Sequence, residues 1–150
     1  MKTPSQSRTE CSRIVVPEHL NGVNRLFGGT LISWIDDACA ICARRHAGGN
    51  VTGATLDNVQ FLAPAYQNDT VVCIASVVYT GNTSMEICCK SYAEKPDGSR
   101  TLINVAYQIA VAIDESGRPV PVEKILPETE EEKQEYANAE KRRELRILYK

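Results

Sequence analysis

The chain has 150 residues, 43% hydrophobic and 24% charged, which suits one buried core and leaves little for a second. Seventeen Lys and Arg against nineteen Asp and Glu give a net charge of −2, so no basic field is available to hold a nucleic-acid backbone. The longest apolar run, Ala38 to Ala43, falls far short of the roughly 20 residues of a membrane-spanning helix, and Met1 to Ser7 lack the apolar centre of a secretory signal, which points to the cytoplasm.

Residues 1–11 are polar and read as a flexible N-terminal segment, after which Ser12 to Val16 predicts a short strand stopped by Pro17. A loop runs from Glu18 to Phe27. Gly28-Gly29 then opens the most periodic stretch of the sequence, with Leu31, Ile35, Ala38 and Cys42 at helical spacing and Ile32, Cys39 and Ala43 on the adjoining row. This helix is expected to end near His46, before Gly48-Gly49, and to be mostly enclosed, with Ser33, Asp37, Ala40 and Arg44 on its open side.

Four long segments rich in Val, Ile, Thr and Tyr follow, at Val51 to Ala63, Thr70 to Thr80, Ser84 to Glu94 and Thr101 to Ile113. Gly81-Asn82 and Pro96-Asp97-Gly98 supply turns between them, so the strands are expected to pair as an antiparallel meander. A single helix among five strands excludes a parallel array, which needs a helix after each strand. The α+β solution is an antiparallel sheet wrapped around one long central helix. From Glu128 to Lys150 thirteen of twenty-three residues are charged, acidic early and basic late, which predicts a polar C-terminal helix that docks loosely or meets another subunit. The chain thus divides into residues 1–11, a folded domain over 12–126 and a charged helix over 127–150.

Six cysteines in a chain with these features read as reduced structural thiols. Cys39 and Cys42 form a C-x-x-C on the apolar helix face, where small buried thiols are common. Cys88 and Cys89 are strand neighbours that point to opposite faces, and with only His19 and His46 as imidazoles no metal site is expected.

Asp36 stands at the margin of the helix's apolar arc, while Asp37 falls about 100° further round, among solvated positions. Asp36 is therefore the carboxylate that could do chemistry, with a boundary Asp satisfied by a neighbour as the plainer alternative. Gly28 and Gly29 at the helix start can offer uncovered N–H groups to a developing negative charge, or can merely admit the loop to a crowded helix. In the preceding loop, Asn21 and Asn24 each could orient a water or a carbonyl, or could simply form a turn.

Three segments, Asn21-Gly22-Val23-Asn24-Arg25-Leu26-Phe27-Gly28-Gly29-Thr30-Leu31-Ile32-Ser33-Trp34-Ile35-Asp36, Asp57-Asn58-Val59-Gln60-Phe61-Leu62-Ala63-Pro64 and Gly81-Asn82-Thr83-Ser84-Met85-Glu86, together resemble the hotdog-fold acyl-CoA thioesterases of the YciA and brain-type acyl-CoA hydrolase branch. The resemblance spans Pro17 to about Ile113. It implies hydrolysis of an acyl-CoA to carboxylic acid and coenzyme A, with Asp36 as general base or nucleophile, Asn21 orienting water or carbonyl, and Gly28-Gly29 forming the oxyanion hole. Asn24 stands where many relatives have Gly and ranks second to Asn21. Thr83 and Ser84 match a motif that would bring a hydroxyl near the ligand. Arg25, Arg44, Arg45, Lys90 and Arg100 are candidates for the coenzyme A phosphates.

The same resemblance implies a homodimer, extending to a trimer of dimers, with sites at subunit interfaces and no cofactor. A non-catalytic acyl-CoA-binding or sensing module is the alternative, since a fold supplies a pocket without guaranteeing chemistry. A dehydratase is disfavoured, because His19 lacks the proline-rich setting that such relatives use.

Overall fold

The computed structural model describes residues 1–149. Five strands, β1 (Thr9–Ile14), β2 (Val51–Phe61), β3 (Thr70–Thr80), β4 (Ser84–Glu94) and β5 (Arg100–Ala112), form one sheet with helices α1 (Gly28–Ala47) and α2 (Glu130–Leu148) on its two faces. β3 and β4 coincide with the predicted strands and β5 is displaced by one residue, because the turns that bound them carry strong local signals. Gly98, for instance, turns at φ 88°, where a side chain would be strained.

All pairings are antiparallel, but the spatial order is β1-β3-β4-β5-β2. The expected meander therefore holds only for β3, β4 and β5. β2 does not pair with β3; its Pro64-containing exit is too long for a hairpin, and β2 crosses to the free side of β5 as an edge strand. Two register shifts interrupt β2, between Gly53 and Thr55 and between Asp57 and Gln60, the second around Asn58 at φ 49°. Bulges of this kind bend an edge strand and reset which side chains face inward.

Two N-terminal expectations are corrected. β1 lies over Thr9–Ile14 rather than 12–16, since Ile14 is the last residue paired with β3 and Val15 turns its N–H to the Asp69 carbonyl. Residues 1–11 are also tied into the fold: Pro4, Ser7 and Thr9 are buried, and the Lys2 ammonium donates to the His46 carbonyl at 2.8 Å. A polar composition concealed this, because these contacts are made mostly by backbone and small side chains.

The core lies between the sheet and α1. Leu31, Ile35, Ala38, Cys39, Cys42 and Ala43 are all buried, as the helical period requires. Ala and Cys at four of these positions let the helix axis approach the strands, and a fully covered side chain such as Ile35 contributes about 1.5–3 kcal/mol. The helix is enclosed on this side only: Ser33, Asp36, Asp37, Arg44 and Arg45 remain exposed. Gly48, at φ 72°, ends it and donates its N–H to the Arg44 carbonyl.

α2 covers the opposite face, and more firmly than its composition predicted. Thr129 and Glu132 cap its start reciprocally, at 3.1 and 3.0 Å. Its inner face then places Arg142 and Arg146 on Glu86 of β4, which is 1% exposed, with Arg142 Nε donating to Glu86 Oε1 at 2.7 Å. Arg142 also lies over the Tyr107 ring at 3.9 Å, and Tyr136 packs on Tyr79.

Candidate active site

α1 and the loop before it carry the residues singled out from the sequence. The loop is held at both ends by backbone bonds, Phe27 N–H to the His19 carbonyl at 2.8 Å and Leu26 N–H to the Ala65 carbonyl at 2.8 Å. Trp34 fixes it to the helix by an edge contact with His19, ring centroids 5.0 Å apart. Within this frame the Asn21 side-chain oxygen accepts the N–H groups of Val23 and Arg25, at 3.0 and 3.1 Å. That turn occupies the oxygen and leaves the amide NH2 as the group Asn21 has to offer. Asn24 has φ 60°, so the chain is left-handed here, a conformation that Gly adopts freely and that Asn tolerates better than most side chains.

At the helix start the first intrahelical bond runs from Leu31 N–H to the Phe27 carbonyl, at 3.1 Å. The N–H groups of Gly28, Gly29 and Thr30 precede it, and Phe27 at the cap position has no side-chain acceptor to give them. A Cβ on Gly29 would lie 2.7 Å from the Phe27 ring, and one on Gly28 would touch Phe61 at 3.4 Å. Gly29 therefore lets the Phe27 ring close over the helix end, whereas at Gly28 a Cβ would be in ordinary contact with Phe61, and the helix-end amides stay bare. Phe27, Phe61 and Leu62 are each more than half exposed in the single chain, which gives this end an apolar rim.

Asp36 lies two helical turns further along, roughly 12 Å from Gly28 by helical rise. Its side chain is exposed, and Oδ1 accepts a hydrogen bond from Gln108 Nε2 of β5 at 2.7 Å. Asp37 turns the other way and meets the exposed Arg13 guanidinium at 3.3 Å. The separation expected from the helical wheel is thus the one observed: one carboxylate faces the sheet's flank beside β2 and the other an ordinary surface ion pair. Gln108 was not evident from the sequence. The available signal was a lone amide between Ala106 and Ala110, which share its strand parity.

Within one chain Asn21 and Asp36 form no hydrogen bond with each other, because one sits at the helix entrance and the other on its flank. Thr83 and Ser84 are remote from the helix entrance but not from Asp36. Ser84 pairs with Val111, seven β5 residues or about 23 Å from the Asn104 that pairs with Phe61, yet three residues or about 10 Å from Gln108. Both hydroxyl residues give backbone carbonyls to the fold, Thr83 to Ala112 N–H and Ser84 to Gly81 N–H.

The cysteines take no part in this geometry. Cys39 and Cys42 are completely covered, and burial pushes the Cys42 thiol up to about 11, out of the range for a thiolate at neutral pH. Cys88 and Cys89 face opposite sides of the sheet as expected, Cys89 in the main core and Cys88 under α2, where burial again raises the thiol to about 11. Among the described residues no helix is long and apolar enough to cross a membrane.

A curled antiparallel sheet, a long helix with bare N-terminal amides and a carboxylate on its flank are together the parts of a hotdog-fold protein. The chain belongs to the thioesterase superfamily, whose family description matches residues 24–99. It is 39% identical over 138 residues to the uncharacterized acyl-CoA thioester hydrolase YkhA of Bacillus subtilis, covering 88% of this chain and 80% of that protein. Its structure superimposes with a TM-score of 0.94 and 35% identity on an acyl-CoA hydrolase from Staphylococcus aureus in complex with butyryl coenzyme A, coenzyme A and coenzyme A disulfide, covering 99% and 92% of the two chains. A hexameric acyl-CoA thioesterase in its apo form matches with a TM-score of 0.95 and 36% identity, over 99% and 97%.

Proposed function

We propose that this protein is an acyl-CoA thioester hydrolase in which Asp36 is the general base. The observation that carries this reading is the Asp36 carboxylate itself, exposed at the margin of the helix's buried face, with one oxygen held by Gln108 and the other open. The open oxygen takes a proton from an attacking water, or attacks the thioester carbon directly to give an anhydride. The N–H groups at Gly28 and Gly29 receive the carbonyl oxygen as it becomes an oxyanion, and the Asn21 NH2 orients water or carbonyl. Collapse of the tetrahedral intermediate expels the coenzyme A thiolate, which takes up the proton that Asp36 removed from water and leaves the carboxylic acid. On the anhydride route a water then cleaves the anhydride, releasing the acid and restoring Asp36.

The helix start stands roughly 12 Å along the axis from the Asp36 of its own chain, and Asn21 lies in the loop that precedes it. One reaction centre therefore combines the helix entrance of one protomer with the Asp36 of another, and the working unit is a homodimer that assembles further into a trimer of dimers. The bare edge of β2, the exposed Phe27, Phe61 and Leu62, and the hexameric relative support this. Asn24 acts on substrate through its turn. Thr83 and Ser84 would bring a hydroxyl near the substrate. The cytoplasm suits six free thiols.

Loss of thioester ultraviolet absorbance over short, medium and long acyl-CoA substrates tests the reading. Asp36→Ala is expected to lower kcat by about 10²–10⁴-fold, the range for a positioned general base, and Asp37→Ala by less than about twofold. Equal losses in the two variants, or binding without turnover across the panel, would overturn it. Mixed oligomers of Asn21→Ala and Asp36→Ala subunits are expected to recover part of the activity that each lacks alone.

A further inference from the structure

We propose that Gln108 is a positioning residue for Asp36, setting which carboxylate oxygen remains open; this rests on Asp36 being the base of the reaction proposed above. β5 turns Ala106, Gln108 and Ala110 toward α1, and the two alanines are completely or almost completely covered. Gln108 is itself only 5% exposed, so its amide is fixed by its surroundings, whereas Asp36 lies on an exposed stretch of helix with nothing else holding it. The rigid partner orients the free one. The contact is short, 2.7 Å from Nε2 to Oδ1, and joins elements 72 residues apart in sequence.

The neighbouring strand encloses it. Leu56 of β2 pairs directly with Gln108, and Gly53, paired with Ala110, lies close enough that a Cβ there would be in ordinary contact with Nε2 at 3.4 Å. A glutamine also has the right chemistry for holding a base. Its NH2 donates without titrating, so it can fix a carboxylate at any working pH while neither supplying nor removing the proton that the base must carry. With Oδ1 engaged, rotation of the carboxylate is restrained and Oδ2 is presented to the open side. Orientation of this kind acts on the rate of the chemical step more than on binding of the substrate.

Two variants test this, each assayed with the acyl-CoA that the wild-type protein hydrolyses fastest. Gln108→Met keeps the volume and removes the donor. Gln108→Asn keeps a buried amide but draws it back by one methylene, out of reach of Asp36. Both are expected to lower kcat 10- to 100-fold with KM within threefold of wild type and with an unchanged oligomeric state. In an Asp36→Asn background, Gln108→Met is expected to change the residual rate less than threefold, because the group it positions is gone. A kcat within threefold of wild type in either folded variant would overturn the proposal. So would a loss carried by KM alone, or one that persists undiminished in the Asp36→Asn background. Absence of wild-type turnover on every acyl-CoA would instead remove the underlying hydrolase reading. Turnover abolished by Asp36→Ala but indifferent to Gln108 would leave that reading intact and remove only the role of Gln108.

Discussion

α2 is held by a buried carboxylate, Glu86, as well as by the packing of Tyr136 on Tyr79 and of Ala139 on Val78 and Cys88, and Arg142→Met measures the share of the carboxylate. Glu86 is 1% exposed, with Arg142 Nε at 2.7 Å from one oxygen and Arg146 Nη2 at 3.7 Å from the other. Met keeps much of the aliphatic stem while removing the guanidinium, and with it both the charge and the contact over the Tyr107 ring. Glu86 is then left in the sheet with one distant guanidinium. Burial already pushes its carboxyl above the ordinary 4.5, against the pull of the two arginines, and losing the nearer one pushes it further. The folded variant has a way out, which is to protonate Glu86 where it sits. At pH 7 that costs at most about 3.4 kcal/mol, from 2.5 pH units at 1.36 kcal/mol each; at pH 5.5 the ceiling is about 1.4 kcal/mol. The sign follows from a folded value above the unfolded one: the deficit is small near pH 4.5 and grows as pH rises, until the folded group itself ionises. Urea unfolding at fixed protomer concentration should show a loss of up to about 3 kcal/mol at pH 7, or about 6–12 °C in Tm, shrinking by more than half at pH 5.5. A loss below about 1 kcal/mol at pH 7, or one independent of pH, would show that Glu86 is not held by this pair.

Two further outcomes follow from local geometry. Asn24 at φ 60° is expected to accept Gly with a stability change within about 0.5 kcal/mol, while Asn24→Ala costs about 1–2 kcal/mol, read by chemical denaturation. Retained kcat in Asn24→Gly would mark its contribution as the turn, and a lost kcat would mark the side chain as a substrate contact. His46 is buried at the end of α1, where its Nε2–H donates to the Glu123 carbonyl at 2.6 Å and burial lowers its pKa below 6.5. The unfolded chain therefore takes up the proton first as pH falls. Stability that is complete above about pH 6.5 should decline below it until the folded imidazole also titrates, and the pH dependence of Tm should be flatter in His46→Gln.

Elements bounded by strong turn chemistry were legible in the sequence, and those bounded by distant partners were not. Thr70–Thr80 and Ser84–Glu94 are each fixed by a neighbour across a short hairpin, so local pattern and final pairing agree. β2 carries an equally clear strand pattern, yet nothing local says whether it joins β3 or β5, and the choice falls to packing around α1. The N-terminal residues fail for the opposite reason. Thr9 is a polar residue at an edge, made burial-competent by bonds to the Ser7 carbonyl and to Arg45, a partner 36 residues away.

The same division runs through the site. A helix has one period and no bulge between Gly28 and Asp36, so 100° per residue is enough to separate Asp36 from Asp37 and to set both glycines at the entrance. Gln108 requires more. Its inward direction follows the alternation of Ala106, Gln108 and Ala110, which pair with β4 without interruption from Ser84 to Ser91. Alternation alone does not say which face of β5 lies against α1 and which against α2, nor that Gln108 comes level with Asp36. The base of this site is thus written in a helical repeat, while its partner is written in a contact between elements 72 residues apart that only packing reveals. Asp36 is therefore visible from the residues alone, and the group that holds it in place becomes visible only once the helix is packed on the strands.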